Sequence, residues 1–106
     1  MKHNLFEIDG EIIKDDEYCT VRENKQLGNI WIYSYVLYRN KSTKLFHYEN
    51  SDCIYVFVGG KGVFELEKNI IYVNHNDIVL APQKKFHKII NTGDIHMKFL
   101  MLKEKF

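Results

Sequence analysis

Short runs of β-branched and aromatic residues alternate with turn-forming residues along most of this 106-residue chain. The turns carry glycine, asparagine or aspartate, as in Gly59-Gly60-Lys61-Gly62 and Thr92-Gly93-Asp94, and these residue types suit the backbone angles of tight turns. Helical periodicity is weak throughout, and the chain holds only one proline. Many short strands at this spacing are typical of antiparallel sandwiches and barrels. The sequence therefore predicts an all-β fold, a small antiparallel β-barrel or jelly roll.

The pattern predicts eleven strands. They are Leu5–Ile8, Glu11–Lys14, Tyr18–Arg22, Asn29–Tyr38, Thr43–Tyr48, Cys53–Val58, Gly62–Leu66, Asn69–Val73, Ile78–Ala81, His87–Asn91 and His96–Leu102. A turn is predicted over 24–28, and a hairpin with Lys68 and Asn69 near its tip, because a two-residue loop favours a residue such as asparagine that tolerates positive φ.

Length and charge exclude several classes of protein. The chain is long enough for one domain with one core, and 15 basic against 14 acidic residues leave no basic excess to bind the phosphates of a nucleic acid. No run of about 18 apolar residues predicts a membrane span, and the N-terminus turns acidic at Glu7 before an apolar segment develops, unlike a signal peptide. The two cysteines, Cys19 and Cys53, do not make a secreted disulfide framework, so we expect a cytoplasmic protein.

The segment from Asn76 to Asn91 predicts a strand, a proline-led turn and a histidine that enters the next strand. Its spacing resembles the second motif of the cupin family: a glycine, five residues, Pro-x-Gly, two residues, His, three residues, Asn. Pro82, His87 and Asn91 are in register with this motif, whereas Asn76 and Lys84 stand at its two glycine positions. Asparagine adopts positive φ more readily than other non-glycine residues, so Lys84 is the stronger departure.

An earlier stretch, ending in Tyr-Val-Phe-Val-Gly-Gly-Lys-Gly, resembles the first cupin motif. That motif runs Gly, five residues, His-x-His, three or four residues, Glu, six residues, Gly. Gly60 falls on the closing glycine and His47 on the first histidine. Glu49 stands at the second histidine, Cys53 at the glutamate and Lys41 at the opening glycine. The frame of the motif is kept, and its ligand set is partly replaced.

Strand alternation supports a common site independently of the resemblance. His47 and Glu49 are two residues apart, Cys53 and Tyr55 share a face, and His87 enters a later strand. A barrel that turns these faces inward would gather His47, Glu49, Cys53 and His87 around one cavity. Two imidazoles and a carboxylate hold a divalent ion and leave open positions, and a thiolate would favour zinc. The alternatives are a solvated Glu49, a Cys53 that packs as a small hydrophobe and a His87 bonded to backbone.

As a whole the chain resembles a single-domain cupin over 1–106, with N-terminal strands in 1–27 and the barrel in 28–103. Cupins with the full ligand set bind manganese, iron, nickel or zinc and act as dioxygenases, isomerases, decarboxylases or lyases. The sugar-sensing N-terminal domains of arabinose-responsive-type regulators are similar too, and these typically need no metal.

Two functions stay open for this chain. The first, which we favour, is a stand-alone module that binds a small polar molecule such as a sugar, with a divalent metal as an optional cofactor. Its expected ligand contacts are His47, Glu49, Tyr55 and His87. The second is a metal-dependent enzyme with a site of two histidines and one carboxylate. In either case we expect a homodimer, because the apolar run Ile30–Tyr38 and the exposed strand edges need cover.

Overall fold

The computed structural model describes residues 10–104, with the side chains of residues 25–27 left aside. Within this range the chain forms nine strands. They are β1 (Glu11–Asp15), β2 (Cys19–Leu27), β3 (Ile30–Leu37), β4 (Cys53–Gly59), β5 (Lys61–Leu66), β6 (Asn69–Asn74), β7 (Ile78–Ala81), β8 (His87–Asn91) and β9 (Met97–Glu104). The predicted strand Leu5–Ile8 lies outside the described residues, and so do His3 and the C-terminal Phe106.

The nine strands form two antiparallel sheets that pack face to face. The larger sheet has six strands in the order β1-β2-β3-β9-β4-β7, and the smaller has three in the order β6-β5-β8. The core lies between them: Tyr55 of β4 meets Phe64 of β5 at a ring-centroid distance of 5.2 Å, and Phe57 meets the same ring at 6.4 Å. The all-β, jelly-roll prediction is confirmed.

Alternation along the strands decides which side chains enter the core. In β4, Cys53, Tyr55 and Phe57 are buried while Ile54 and Val58 are exposed. The strands β8 and β9 alternate in the same way. Their buried residues are His87, Ile89, Asn91, Met97, Phe99 and Met101. Full burial of a large apolar side chain such as Phe99 contributes about 1.5–3 kcal/mol of transfer free energy, and this burial stabilises the packing of the two sheets.

The prediction of a strand at Thr43–Tyr48 is wrong. This segment makes only two isolated bridges, Ser42 with Ile90 and Phe46 with His87. In the sequence it connects β3 to β4, which both belong to the larger sheet, yet its backbone pairs with β8 of the smaller sheet. A segment that crosses from one sheet to the other does not keep a regular ladder of backbone hydrogen bonds. We call residues 42–48 the crossing segment.

Two turns also differ from their predictions by a few residues. Strand β2 continues to Leu27, and the turn to β3 is made by Gly28 and Asn29, with Gly28 at a φ of 62°. The β5–β6 loop is Glu67 and Lys68, with positive φ (54°) at Glu67. The amide of Glu67 donates a 2.8 Å hydrogen bond to the carbonyl of Phe86, so a tertiary contact, and not the asparagine, sets the loop register.

Within residues 10–104 no helix has the length and apolar character needed to cross a bilayer.

Candidate functional site: a buried histidine–tyrosine pair and an adjacent groove

His87 is the first residue of β8, and its side chain is buried to 1% exposure. The ring atom Nδ1 lies 3.0 Å from the carbonyl oxygen of Lys85, and Nε2 lies 2.7 Å from the hydroxyl of Tyr55. A carbonyl can only accept, so Nδ1 carries the proton and donates it, while Nε2 accepts the Tyr55 O–H. Burial lowers the pKa of His87 and the nearby His47 lowers it further, so the ring is neutral at neutral pH.

Aromatic rings enclose this imidazole. Phe64 stacks on it with a 7° interplanar angle at 5.5 Å, and Phe46 of the crossing segment packs at 4.5 Å. Burial raises the pKa of Tyr55 well above its ordinary value, so its hydroxyl stays protonated and remains a donor. The interior that was predicted to be a cavity is filled by side chains at this point.

His47 and Glu49 meet at the protein surface. Atom Nδ1 of His47 lies 3.4 Å from Oε1 of Glu49 in a geometry that makes no hydrogen bond, and the side chain of Glu49 is 67% exposed. The ring of His47 packs edge-on against Phe86 at 4.3 Å. The neighbouring ring of Phe46 packs against His87 instead.

Cys53 is fully buried at the start of β4, next to the aromatic core. Burial raises the pKa of its thiol to about 11. The thiolate is the form that binds metals, and at neutral pH Cys53 is a protonated thiol. It packs as a small apolar side chain, which was the alternative interpretation of this residue.

A divalent metal bound by His47, Glu49, Cys53 and His87 does not fit these placements. Both nitrogens of His87 have protein partners, the carboxylate of Glu49 turns to solvent, and the Cys53 thiol keeps its proton. Among residues 10–104 no group of three or more His, Cys, Asp or Glu side chains could hold a metal ion. The hydroxyl of Tyr55 occupies the Nε2 atom that a metal would need.

A groove of about 470 Å³ opens beside this pair, between the inner faces of β2 and β3 and the crossing segment. Its lining residues come from the β1–β2 hairpin, β3 and the crossing segment. They are Lys14, Tyr18, Cys19, Val21, Tyr35, Ser42, Thr43, Lys44, Phe46 and Tyr48. The ring of Phe46 separates the groove from His87. None of the four residues predicted as metal ligands lines it.

The rings of Tyr35 and Tyr48 pack against the core, and both residues line the groove. Tyr35 stacks on Phe99 at 4.8 Å, and the Lys103 ammonium lies 4.0 Å above the ring of Tyr48. Burial raises the pKa of Tyr48 to about 12 and raises that of Tyr35 further. Both hydroxyls are therefore protonated at neutral pH, and both can donate a hydrogen bond.

Neither Tyr35 nor Tyr48 was predicted from the sequence as a site residue. Alternation along β3 indicates that Tyr33, Tyr35 and Leu37 share one face, which is the inner one. Tyr48 carries no such signal, because the crossing segment that holds it is irregular and its direction follows from pairing with β8.

No family model matches the sequence, and no curated protein matches it. Solved structures do match. A predicted oxalate decarboxylase from Thermotoga maritima is 22% identical over 100% of both chains with a TM-score of 0.80. KdgF from Halomonas sp. is 14% identical over 91% of this chain and 87% of its own, with a TM-score of 0.78. The cupin domain of Cnp3 from Schizosaccharomyces pombe is 8% identical, covers 83% of this chain and 65% of its own, and has a TM-score of 0.76.

The chain has the cupin fold. Three of the four glycine positions of the motifs have positive φ: Asn76 (74°), Lys84 (64°) and Gly60 (81°), whereas Lys41 does not. The motif asparagine, Asn91, also keeps a defined place. Its Nδ2 donates to the carbonyls of Leu37 (3.0 Å) and Ile95 (2.9 Å), and its Oδ1 accepts from the amide of Gly93. The chain thus retains most of the turns and the structural amide of the motifs, while the positions of the ligand set serve packing or face solvent.

Proposed function

We propose that this protein is a cupin-fold binding module that holds a small polar molecule in the groove between β2, β3 and the crossing segment. The observation that carries the proposal is a pair of tyrosines, Tyr35 and Tyr48, that line the groove and whose hydroxyls are kept protonated by burial. Small-molecule sites are typically apolar clefts with a few converging polar groups, and this groove matches that description.

The chemistry of the groove favours a ligand with oxygen acceptors on a flat or ring-shaped body. A half-buried hydroxyl without a partner costs roughly 1–3 kcal/mol if water is excluded, and a ligand oxygen would remove that cost. The rings of Tyr18 and Phe46 supply apolar walls. A molecule the size of a monosaccharide fits a volume of about 470 Å³, so a sugar or sugar derivative stays our leading example.

In this proposal Tyr55 and His87 stand behind the groove. They fix Phe46 by packing and by the paired backbone bonds between Phe46 and His87 (3.1 and 2.9 Å), and they touch no ligand. His47 and Glu49 lie beyond the groove lining. A metal-dependent enzyme with two histidines and a carboxylate has no supporting donor set among these residues.

The test combines a ligand screen with hydroxyl deletions. Thermal-shift screening against monosaccharides, polyols and small carboxylic acids should identify binders, and isothermal titration should give their Kd. Tyr35→Phe and Tyr48→Phe should each weaken the best binder about tenfold, the equivalent of one hydrogen bond of ~1.4 kcal/mol. Tyr72→Phe is the matched control, because Tyr72 is 79% exposed on β6. An unchanged Kd in the Tyr35→Phe, Tyr48→Phe double variant would contradict the proposal.

We also propose that a second copy of the chain covers the outer surface of the larger sheet. There the side chains of β3, β9, β4 and β7 form cross-strand rows, with Ile54 opposite both Leu102 and Leu80, and Val56 opposite both Leu100 and Ile78. We call this surface the outer apolar face. It comprises Ile32, Ile54, Val56, Ile78, Leu80, Leu100 and Leu102.

The size of the outer apolar face fits a partner of the same kind. Ile54 is 43% exposed, Leu80 55% and Ile78 67%, and contiguous exposed apolar side chains of this kind mark interaction surfaces. Each subunit of a standard interface buries about 800 Å², and the outer apolar face would supply its apolar centre. A bordering groove of about 640 Å³, whose rim includes Asn50, Asp52 and Gln83, adds polar surface for the remainder.

The cytoplasm remains the expected location, because Cys19 and Cys53 are free thiols.

A further inference from the structure

We infer that the ligand of the groove is a small organic anion, with a carboxylate anchored by Lys44 and the two tyrosine hydroxyls. The inference rests on the proposed binding function and adds the charge class of the ligand. Its starting point is the composition of the groove, whose ionisable lining includes Lys14 and Lys44 but no aspartate or glutamate.

The two lysines are not equivalent. The ammonium of Lys14 lies 3.7 Å from a carboxylate oxygen of Asp16. Hydrogen bonds from the amides of Tyr18 and Cys19 lower the pKa of Asp16, so this carboxylate is charged and offsets Lys14. Lys44 has no ion-pair partner among the described residues.

Acidic groups also lie near the groove, and the carboxylate of Glu17 is close enough to the Tyr18 hydroxyl to raise its pKa. Asp15 accepts a hydrogen bond from Thr20 at 3.0 Å, and Glu49 faces His47 at 3.4 Å. A further cation borders the groove, because the ammonium of Lys41 lies 5.6 Å from the ring centroid of Tyr18. Of the two lysines that line the groove, only Lys44 therefore lacks an ion-pair partner among the described residues.

The two tyrosine hydroxyls also favour a negatively charged ligand. Tyr35 and Tyr48 are held protonated by burial, so each offers an O–H donor to the groove. A hydrogen bond to a charged acceptor is about twice as strong as one between neutral groups. A carboxylate could accept from a hydroxyl and lie close to the Lys44 ammonium, whereas a neutral hydroxyl of a ligand gains less from either. Two separate features of the groove thus favour an anion over an uncharged molecule of the same shape.

Matched pairs of probes test the charge class directly. Isothermal titration would compare D-glucuronate with D-glucose and benzoate with benzamide, each pair having a similar body and differing in charge. We expect at least one acid to bind about tenfold more tightly than its neutral counterpart, and higher salt to narrow the difference. Lys44→Gln should weaken the acid about threefold, in line with a partly exposed charge. Lys68→Gln, in the β5–β6 loop, makes the same charge change away from the groove and should have no effect.

The outcomes separate this inference from the proposed function. If a neutral probe binds as tightly as its acid and Tyr48→Phe weakens both, the groove is the binding site and the anion inference is wrong. If an acid binds but neither Tyr35→Phe nor Tyr48→Phe changes its Kd, the acid binds elsewhere and the proposed groove is wrong. If neither acid binds at about 10 mM, a concentration that detects even millimolar Kd values, the anion inference is wrong while the wider ligand screen still tests the groove.

Discussion

The ring of His87 donates one hydrogen bond and accepts another, and the two bonds together stabilise a single neutral tautomer. Nδ1 donates to the Lys85 carbonyl and Nε2 accepts from Tyr55. Protonation of Nε2 would turn it into a donor that faces a buried hydroxyl, and the charge would lie among the rings of Phe46, Phe64 and Tyr55. The histidine that the motif places at the heart of the fold acts here as a neutral acceptor.

We predict a pH dependence of stability that arises from this histidine. The pKa of His87 is lowered in the folded protein below its ordinary value of 6.5, so below that pH the unfolded chain binds a proton that the folded one does not. The stability contribution is therefore complete above about pH 6.5 and is lost as the pH falls towards the folded pKa, by at most ~1.4 kcal/mol per pH unit. Urea unfolding between pH 7.5 and 5 measures it.

Substitution isolates the contribution of His87. His87→Gln should flatten the decline of stability between pH 6.5 and 5, because glutamine does not titrate. The control is His75→Gln, since His75 is exposed in the turn between β6 and β7. A His87→Gln curve that falls with pH as steeply as that of the parent protein would assign the pH dependence to other groups.

Among the elements, the β7–β8 turn shows how a motif can survive without its glycine. Lys84 has a φ of 64°, and its amide donates a 2.7 Å hydrogen bond to the carbonyl of Tyr48. The amide of Gln83 donates to the carboxylate of Asp52 at 2.9 Å. These bonds from the turn to the segment before β4 hold a lysine in the left-handed region, where a side chain costs roughly 1–2 kcal/mol.

Lys84→Gly should therefore stabilise the protein. Glycine removes the strain of the left-handed backbone but adds flexibility to the unfolded chain, so we expect a net gain of up to about 1 kcal/mol in the free energy of unfolding. Thermal or urea unfolding would show it as an increase in Tm of several degrees for a domain of this size. Lys85→Gly, one residue later and outside the positive-φ positions, should lower stability. Equal changes in the two variants would show that backbone strain at Lys84 is not the cause.

The element predictions from sequence succeeded where alternation and local turn chemistry agreed. Strands β7 and β8 have the predicted bounds, Ile78–Ala81 and His87–Asn91. The predictions of elements were wrong where a tertiary contact determines the course of the backbone. The crossing segment is rich in strand-forming residues but pairs irregularly with β8, and the loop at Glu67 is set by its bond to Phe86.

At the scale of the whole molecule, the inner and outer apolar surfaces of the sheets differ in what covers them. The inner faces of the sheets pack on each other, while the outer apolar face of the larger sheet has no cover from the described residues. The run Ile30–Tyr38 was predicted to need cover from a second subunit. Ile30 is 43% exposed and Leu37 is fully buried, so the run enters the core only at part of its length.

Leu80→Lys should shift a dimer to monomer. Leu80 is 55% exposed in the edge strand β7, at the end of the row formed with Ile54 and Leu102, and a buried unpaired ammonium in an apolar interface costs several kcal/mol. Sedimentation velocity at micromolar concentration measures the change. Ile70→Lys is the control, because Ile70 is 60% exposed on β6 of the smaller sheet. A parent protein that sediments as a monomer, or a Leu80→Lys variant that stays dimeric, would contradict this prediction.

The sequence by itself determined the fold class, most strand positions and the inward direction of Cys53, Tyr55 and His87, because these follow from period-two alternation and from turn residues, which are local properties. Only the tertiary structure decided what those inward side chains do. Whether a histidine meets a metal, a solvent cavity or a tyrosine hydroxyl depends on which residue of a strand far away in the sequence lies opposite. Here that residue is Tyr55, and the groove lies instead beside Phe46, where the crossing segment leaves the sheet.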